Sequence, residues 1–153
     1  MKYTMQRVRE FHERHGQHIG NPATPDVSRD SKLRTDLIGE ELGELKLALD
    51  GYDKHGAPLN EHAQVVAAAD ALGDLVYVIA GAAVTWGIPL AEVFDAIHRS
   101  NMTKSVTDKR ADGKVMKGPD YVPPDIAGAL ILGVSRAKAL PYTSQRACTR
   151  NAS

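Results

Sequence analysis

The sequence predicts an all-α protein, a bundle of four main helices plus a short C-terminal helix. Three observations carry that expectation. Aromatic residues make up only 5% of the chain, while Ala, Leu and Val are plentiful, a balance that favours helices over sheets. Apolar residues recur at helical spacing in four successive stretches. The 153 residues, 42% hydrophobic and 25% charged, have the size and composition of one ordinary globular domain.

The first helix is expected from about residue 2 to residue 15, with Val8 and Phe11 on one face and Gly16 as its stop. Residues 17–27 hold Gly20, Asn21, Pro22 and Pro25 and read as a loop. Ser28 or Asp30 is a suitable N-cap for a second helix running to Leu49 or Asp50, with Gly51 just past its end. Residues 52–60, with Gly56 and Pro58, form the next connection. The Ala- and Val-rich third helix runs from about Glu61 to Trp86 and stops at Gly87. Pro89 suits the first turn of a fourth helix, which carries Val93, Phe94 and Ile97 at core spacing and ends near Asn101. Residues 105–124 are polar, and Asp112-Gly113 marks a tight turn there. Asp125 can cap a short apolar helix over residues 126–134. Residues 1–134 therefore make the domain. Residues 135–153, with four basic side chains and no acidic one, read as a flexible tail.

Nineteen basic residues balance nineteen acidic ones, so charge gives no reason to expect nucleic acid or an anionic membrane as partner. Cys148 is the only cysteine, which excludes an intramolecular disulfide and a multi-cysteine zinc site. Residues 1–16 lack a signal-peptide apolar core, and a cytoplasmic location is expected. Residues 65–86 are long enough to span a bilayer, but Asp70 and Asp74 near the middle would be costly in lipid. A helix inside a soluble protein fits them better.

The acids are the informative feature. On a helical wheel the second helix puts Lys32, Asp36, Gly39, Gly43, Lys46 and Asp50 on a wet face, with Ile38, Leu42, Leu45 and Leu49 opposite. Glu40, Glu41 and Glu44 fall on neither face, and share their sector with Leu33, Leu37, Leu47 and Ala48. Asp70 and Asp74 are one turn apart on the third helix, on a face continued by Tyr77 and Gly81. Five carboxylates among apolar neighbours need something cationic. One answer is structural pairing of Asp70 or Asp74 with Arg34 or Lys104, or a different helix phase that leaves the glutamates in solvent. The other is a divalent metal, for which all-oxygen ligands favour Mg²⁺ or Mn²⁺.

Glu40-Glu41-x-x-Glu44, then Asp70 and Asp74 on the next long helix, then Asn101-x-x-Lys104, together resemble the all-α nucleoside triphosphate pyrophosphohydrolases. The nearest likeness is to their MazG-like and phosphoribosyl-ATP pyrophosphohydrolase-like members, relatives of the dimeric dUTPases. It extends over about residues 8–129, taking in Ala69-Asp70-Ala71-Leu72-Gly73-Asp74 and Ile97-His98-Arg99-Ser100-Asn101-Met102-Thr103-Lys104. One departure stands out. The family pattern Glu-x-x-Asp has its aspartate at Asp74, but Ala71 occupies the glutamate position, and Asp70 is the nearest substitute.

The resemblance implies hydrolysis of a nucleoside triphosphate between the α and β phosphates, a house-cleaning role on nucleotide pools, and Mg²⁺ as cofactor with Mn²⁺ as a substitute. It implies Glu41, Glu44, Asp70 and Asp74 as metal ligands, Glu40 and Glu41 as catalytic carboxylates, and Arg34, Asn101 and Lys104 as substrate contacts. It also implies a homodimer or a dimer of dimers, formed through the bundle. Two other readings compete: a metal-stabilised helical interaction module without catalysis, and a di-iron carboxylate bundle. The second is suggested by Asp95-x-x-His98 but lacks the second acid-x-x-His element such sites require. Phe11 and Trp86 are expected in the core rather than as the aromatic platforms on which the family stacks its base.

Overall fold

The computed structural model describes residues 1–139. The chain forms five helices: α1 (Lys2–Arg14), α2 (Ser31–Leu49), α3 (Glu61–Trp86), α4 (Leu90–Asn101) and α5 (Ile126–Ala139). No strand occurs among the described residues, only isolated bridges that pair Tyr52 with Pro58 and Lys109 with Val115. The all-α class is as expected. α5 runs past Val134 to Ala139, so the first residues of the expected tail are helical. Residues 140–153 of that tail lie outside the described residues.

The helix ends show why these segments start and stop where they do. Asn60 caps α3, its Oδ1 accepting from the Ala63 N–H at 2.9 Å. Gly87 closes α3 with φ 71°, and its N–H reaches back to the carbonyls of Ala83 and Val84. Asp125 Oδ1 accepts from the Gly128 N–H at 2.8 Å at the start of α5. Neither candidate cap of α2 performs that task. Asp30 stands at the N-cap with φ 50° and no side-chain bond to the helix, while the Ser28 hydroxyl is held by Asp26.

α2 and α3 form the main antiparallel pair. Gln64 donates to the Leu49 carbonyl at 3.0 Å at one end. At the other end the Arg34 guanidinium lies over Gly81, where a Cβ would meet Nη1 at 3.5 Å. α1 packs across the C-terminal third of α3, and Val8, Ala80 and Val84 make the core with Met5 and Ile19 beside them. The loop after α1 straps this end down. The Gly20 N–H donates to the Val84 carbonyl, the Asp26 N–H to the Trp86 carbonyl, and Trp86 Nε1 to the Arg29 carbonyl at 2.8 Å. A Cβ on Gly20 would sit 2.3 Å from the Gly87 nitrogen, so only glycine permits the approach. α4 then turns away at Pro89 and packs against α5, with contacts to α1. The Ser100 hydroxyl bonds the Val122 carbonyl at 2.7 Å and ties the returning loop to α4.

Several expected core residues are open. Leu42 and Leu49 on α2, Phe94 and Ile97 on α4, and Phe11 on α1 are all exposed. The inward stripe of α2 is instead Arg34, Leu37, Ile38, Glu41, Glu44, Leu45 and Ala48, each buried or half-buried. Within this chain α1 covers only one end of the helix pair, so the apolar positions outnumber the surfaces available to bury them.

Candidate active site

Below the end covered by α1, the α2–α3 seam turns acidic. Glu41 is half-buried on α2. Its carboxyl is raised above the ordinary glutamate value, first by burial and then by the negative charges of Asp74, Glu44 and Glu40, while Lys54 acts in the opposite sense. Glu41 and Asp74, from two helices, thus share one electrostatic neighbourhood. One layer further along, Glu44 and Asp70 line a cleft of about 180 Å³ with Ala48, Ala67, Tyr52, Asp53 and Lys54. Asp70 and Asp74 are exposed, and Glu40 stands in solvent beside Glu41.

Among the described residues none of these five acids forms an ion pair. Nor do any three acidic, histidine or cysteine side chains converge there as a ready-made metal cage. The carboxylates line a ledge. Their all-oxygen donor set and uncompensated charge suit a hard divalent cation such as Mg²⁺ or Mn²⁺, which keeps several waters and needs only a few protein ligands.

The departure at Ala71 has a structural counterpart. Ala71 is buried in the α2–α3 seam at 3% exposure, whereas Asp70 lies on the rim beside Glu44. The acidic function offered by Asp70 therefore approaches from the cleft side instead of from inside the seam.

Arg34 lies away from the acids. It is 6% exposed, its Nη2 donates to Gln17 Oε1 at 3.1 Å, and its Nε has neither a partner nor solvent contact. Buried His12 lies beside it, Nδ1 donating to the His18 carbonyl at 2.9 Å. Burial, the Arg34 and Arg9 charges, and His18 hold the His12 ring below the usual imidazole value, against the His18 hydrogen bond. Asn101 and Lys104 follow α4, whose neighbours are α5 and α1, and the Lys104 charge is felt by Tyr121. The structure does not bring Arg34, Asn101 or Lys104 to the acids within one chain. Asp95 and His98 are exposed on α4. Trp86 is half-buried as a strap point, in keeping with a structural part.

Lys54 is the residue sequence reasoning missed. A turn places it: Asp53 Oδ1 accepts from the N–H groups of His55 and Ala57 at 2.8 Å, and Gly56 adopts φ 81°. Gly56 and Pro58 marked a connection in the sequence, but nothing in them pointed at the acids of α2.

An antiparallel helix pair with carboxylates from both partners in its seam is the arrangement that a resemblance to the all-α nucleoside triphosphate pyrophosphohydrolases leads one to expect. The family model for phosphoribosyl-ATP pyrophosphohydrolase matches residues 8–101, more than half of the chain and all five acids, and the chain belongs to that family. It is accordingly a pyrophosphohydrolase, a hydrolase acting on acid anhydrides, with a nucleotide as substrate. No curated protein matches the sequence. By length and composition α3 is apolar enough to cross a bilayer, but its C-terminal end, residues 80–85, is buried within this chain and its middle carries Asp70 and Asp74.

Proposed function

We propose that the chain hydrolyses a nucleoside triphosphate between its α and β phosphates, releasing the monophosphate and pyrophosphate, as a cytoplasmic house-cleaning activity. The observation that supports this most is the shared neighbourhood of Glu41 and Asp74, two acids from different helices, neither in an ion pair among the described residues. Glu41, Glu44, Asp70 and Asp74 are the residues that would hold Mg²⁺, or Mn²⁺ in its place. When bound, such an ion neutralises phosphate charge and makes water easier to deprotonate. Glu40 and Glu41 then serve as the carboxylates that orient the attacking water and accept its proton. Lys54 stands where it can meet a phosphate oxygen as a point charge.

In the same reading the protein is a homodimer or a dimer of dimers. Val65, Leu72, Val76 and Ile79 form an exposed apolar stripe along α3, which a second copy would cover. Asn101 and Lys104 enter the site only through such a copy, and Arg34 acts as a brace within the chain.

A panel of canonical and modified nucleoside triphosphates, phosphoribosyl-ATP included, assayed for pyrophosphate with Mg²⁺ and with Mn²⁺, tests the activity. No pyrophosphate from any of them would overturn it. Asp70→Ala should impair Mg²⁺ dependence as severely as Asp74→Ala. Full activity of Asp70→Ala at low Mg²⁺ would remove Asp70 from the ligand set.

A further inference from the structure

The loop that returns from α4 to α5 is fastened to the end of α4. The Ser105 N–H donates to the Met116 carbonyl at 3.1 Å. Thr103 Oγ1 accepts from the Val122 N–H at 2.8 Å and donates to the Ser100 carbonyl at 2.8 Å. The buried Ser100 hydroxyl, which bonds the Val122 carbonyl, also reaches the Tyr121 hydroxyl at 3.3 Å. These bonds set Lys117 and Tyr121 in the neighbourhood of Lys104. The Lys117 ammonium lies 4.4 Å from the centre of the Tyr121 ring. The Ser100 hydrogen bond first, then the Lys117 and Lys104 charges, hold the Tyr121 phenol below its ordinary value, against burial. Neither lysine forms an ion pair among the described residues. Asp108 and Asp112 of the same loop are engaged by Ser105 and Arg110. Two ammonium groups and a phenol are thus gathered with protons to offer.

We infer that Lys117 and Tyr121 bind phosphate, completing with Lys104 one donor cluster for the phosphate chain of the nucleotide, an inference that rests on the proposed activity. An ammonium is a point charge suited to phosphate, and a hydrogen bond from a charged donor to a phosphate oxygen is stronger than a neutral one. A triphosphate carries more negative charge than one divalent cation cancels, and the acids of α2 and α3 can only repel the remainder. Lys104 alone offers a single charge to meet it, whereas the fastened loop offers two charges and a hydroxyl. As the bond between the α and β phosphates breaks, negative charge gathers on the departing pyrophosphate, and donors already in place there lower the barrier. Lys117 and Tyr121 therefore extend the substrate contacts from the end of α4 into the loop that follows it.

The test compares three variants of the full chain. Lys117→Met keeps the stem and removes the charge, and Tyr121→Phe removes only the hydroxyl. Lys114→Met removes an exposed charge elsewhere on the same loop. The probe is inorganic tripolyphosphate with Mg²⁺, which has phosphates but no base or sugar, and its binding is read by calorimetry. Lys117→Met should raise Kd about tenfold and Tyr121→Phe about threefold, while Lys114→Met should change it less than about twofold. KM for a nucleoside triphosphate should rise in the same order. No binding of tripolyphosphate by the parent chain, an unchanged Kd in Lys117→Met, or an equal weakening by Lys114→Met would overturn the cluster. Full affinity in Tyr121→Phe would overturn the part assigned to Tyr121. Because the probe reads binding without turnover, absence of pyrophosphate release from every nucleotide would overturn only the activity.

Discussion

The two ends of α3 belong to one continuous helix and live in different surroundings. Residues 80–85 are buried without interruption beneath α1 and the strap that follows it, whereas among residues 61–79 only Ala71 is buried. The covered end carries stability: Val8 and Val84 alone contribute of the order of 1.5–3 kcal/mol each by leaving water. The open end carries the acids. Charges that cluster without counterions would be costly under a packed helix, and they also need access to solvent and substrate. The division of labour along one helix follows from where a single short helix, α1, comes to rest.

That contrast predicts opposite phenotypes at the two ends. At the open end, Glu41→Gln and Glu44→Gln should each lower turnover by about 100-fold, on the scale of losing one electrostatic contact in an active site, with circular dichroism unchanged. Turnover near that of the parent chain in either variant would remove the residue from the site. At the covered end, Gly20→Ala should leave the chemistry intact but destabilise the fold by about 1–3 kcal/mol, lowering Tm by several degrees. The methyl group would have to displace the Gly87 backbone. An unchanged Tm would mean that the strap adds nothing to the buried end.

pH separates the ends more finely. The folded-state pKa of Glu41 lies above its ordinary value of 4.5, so in the absence of metal this group costs stability as pH rises through that value, with the full cost above the folded pKa. Mg²⁺ should therefore raise Tm clearly near pH 8 and much less near pH 5, by up to about 2.7 kcal/mol of stability at a hundredfold excess over Kd. The folded-state pKa of His12 lies below its ordinary value of 6.5, so its contribution is intact above that value and is lost as pH falls through it, completely below the folded pKa. His12→Asn should flatten the fall in Tm between about pH 7.5 and pH 5.5. Parallel pH curves for this variant and its parent would place the acid sensitivity elsewhere. The smallest effect belongs to Asp50→Asn, at an exposed site just past α2, where activity and Tm should both stay within error.

The sequence disclosed the elements well because their ends are chemically marked, by Gly16, Gly51 and Gly87 at the stops and Asp125 at the last start. It also disclosed the acids, since Glu41 and Glu44 fell among apolar positions on the wheel and do face α3. The phase of α2 was harder. Leu42 and Leu49 look like core by spacing, yet burial there depends on which flank a neighbour covers, and α1 covers only one end. Arg34 was misleading for a related reason. An arginine on a helix reads as a solvent or substrate contact, and its enclosure depends on packing against residue 81, far along the chain. Phe11 was the converse case, an aromatic residue at core spacing left open by the lateral position of α1 on α3. Such facts live in the packing of one element on another and have no local signature.

The antiparallel register of α2 and α3 also governs which changes of length the gene can absorb. Arg34 lies level with Gly81, Glu41 with Asp74, and Glu44 and Ala48 with Ala67 and Asp70. One codon inserted between positions 41 and 44 would rotate everything after it by about 100° and separate the two acidic layers, even though every residue survived. The same codon inserted in the turn at residues 54–56 would lengthen a surface loop and leave the register untouched. Insertions and deletions should therefore collect in the connections between helices, and the spacing of the acids should outlast much of the apolar sequence around them.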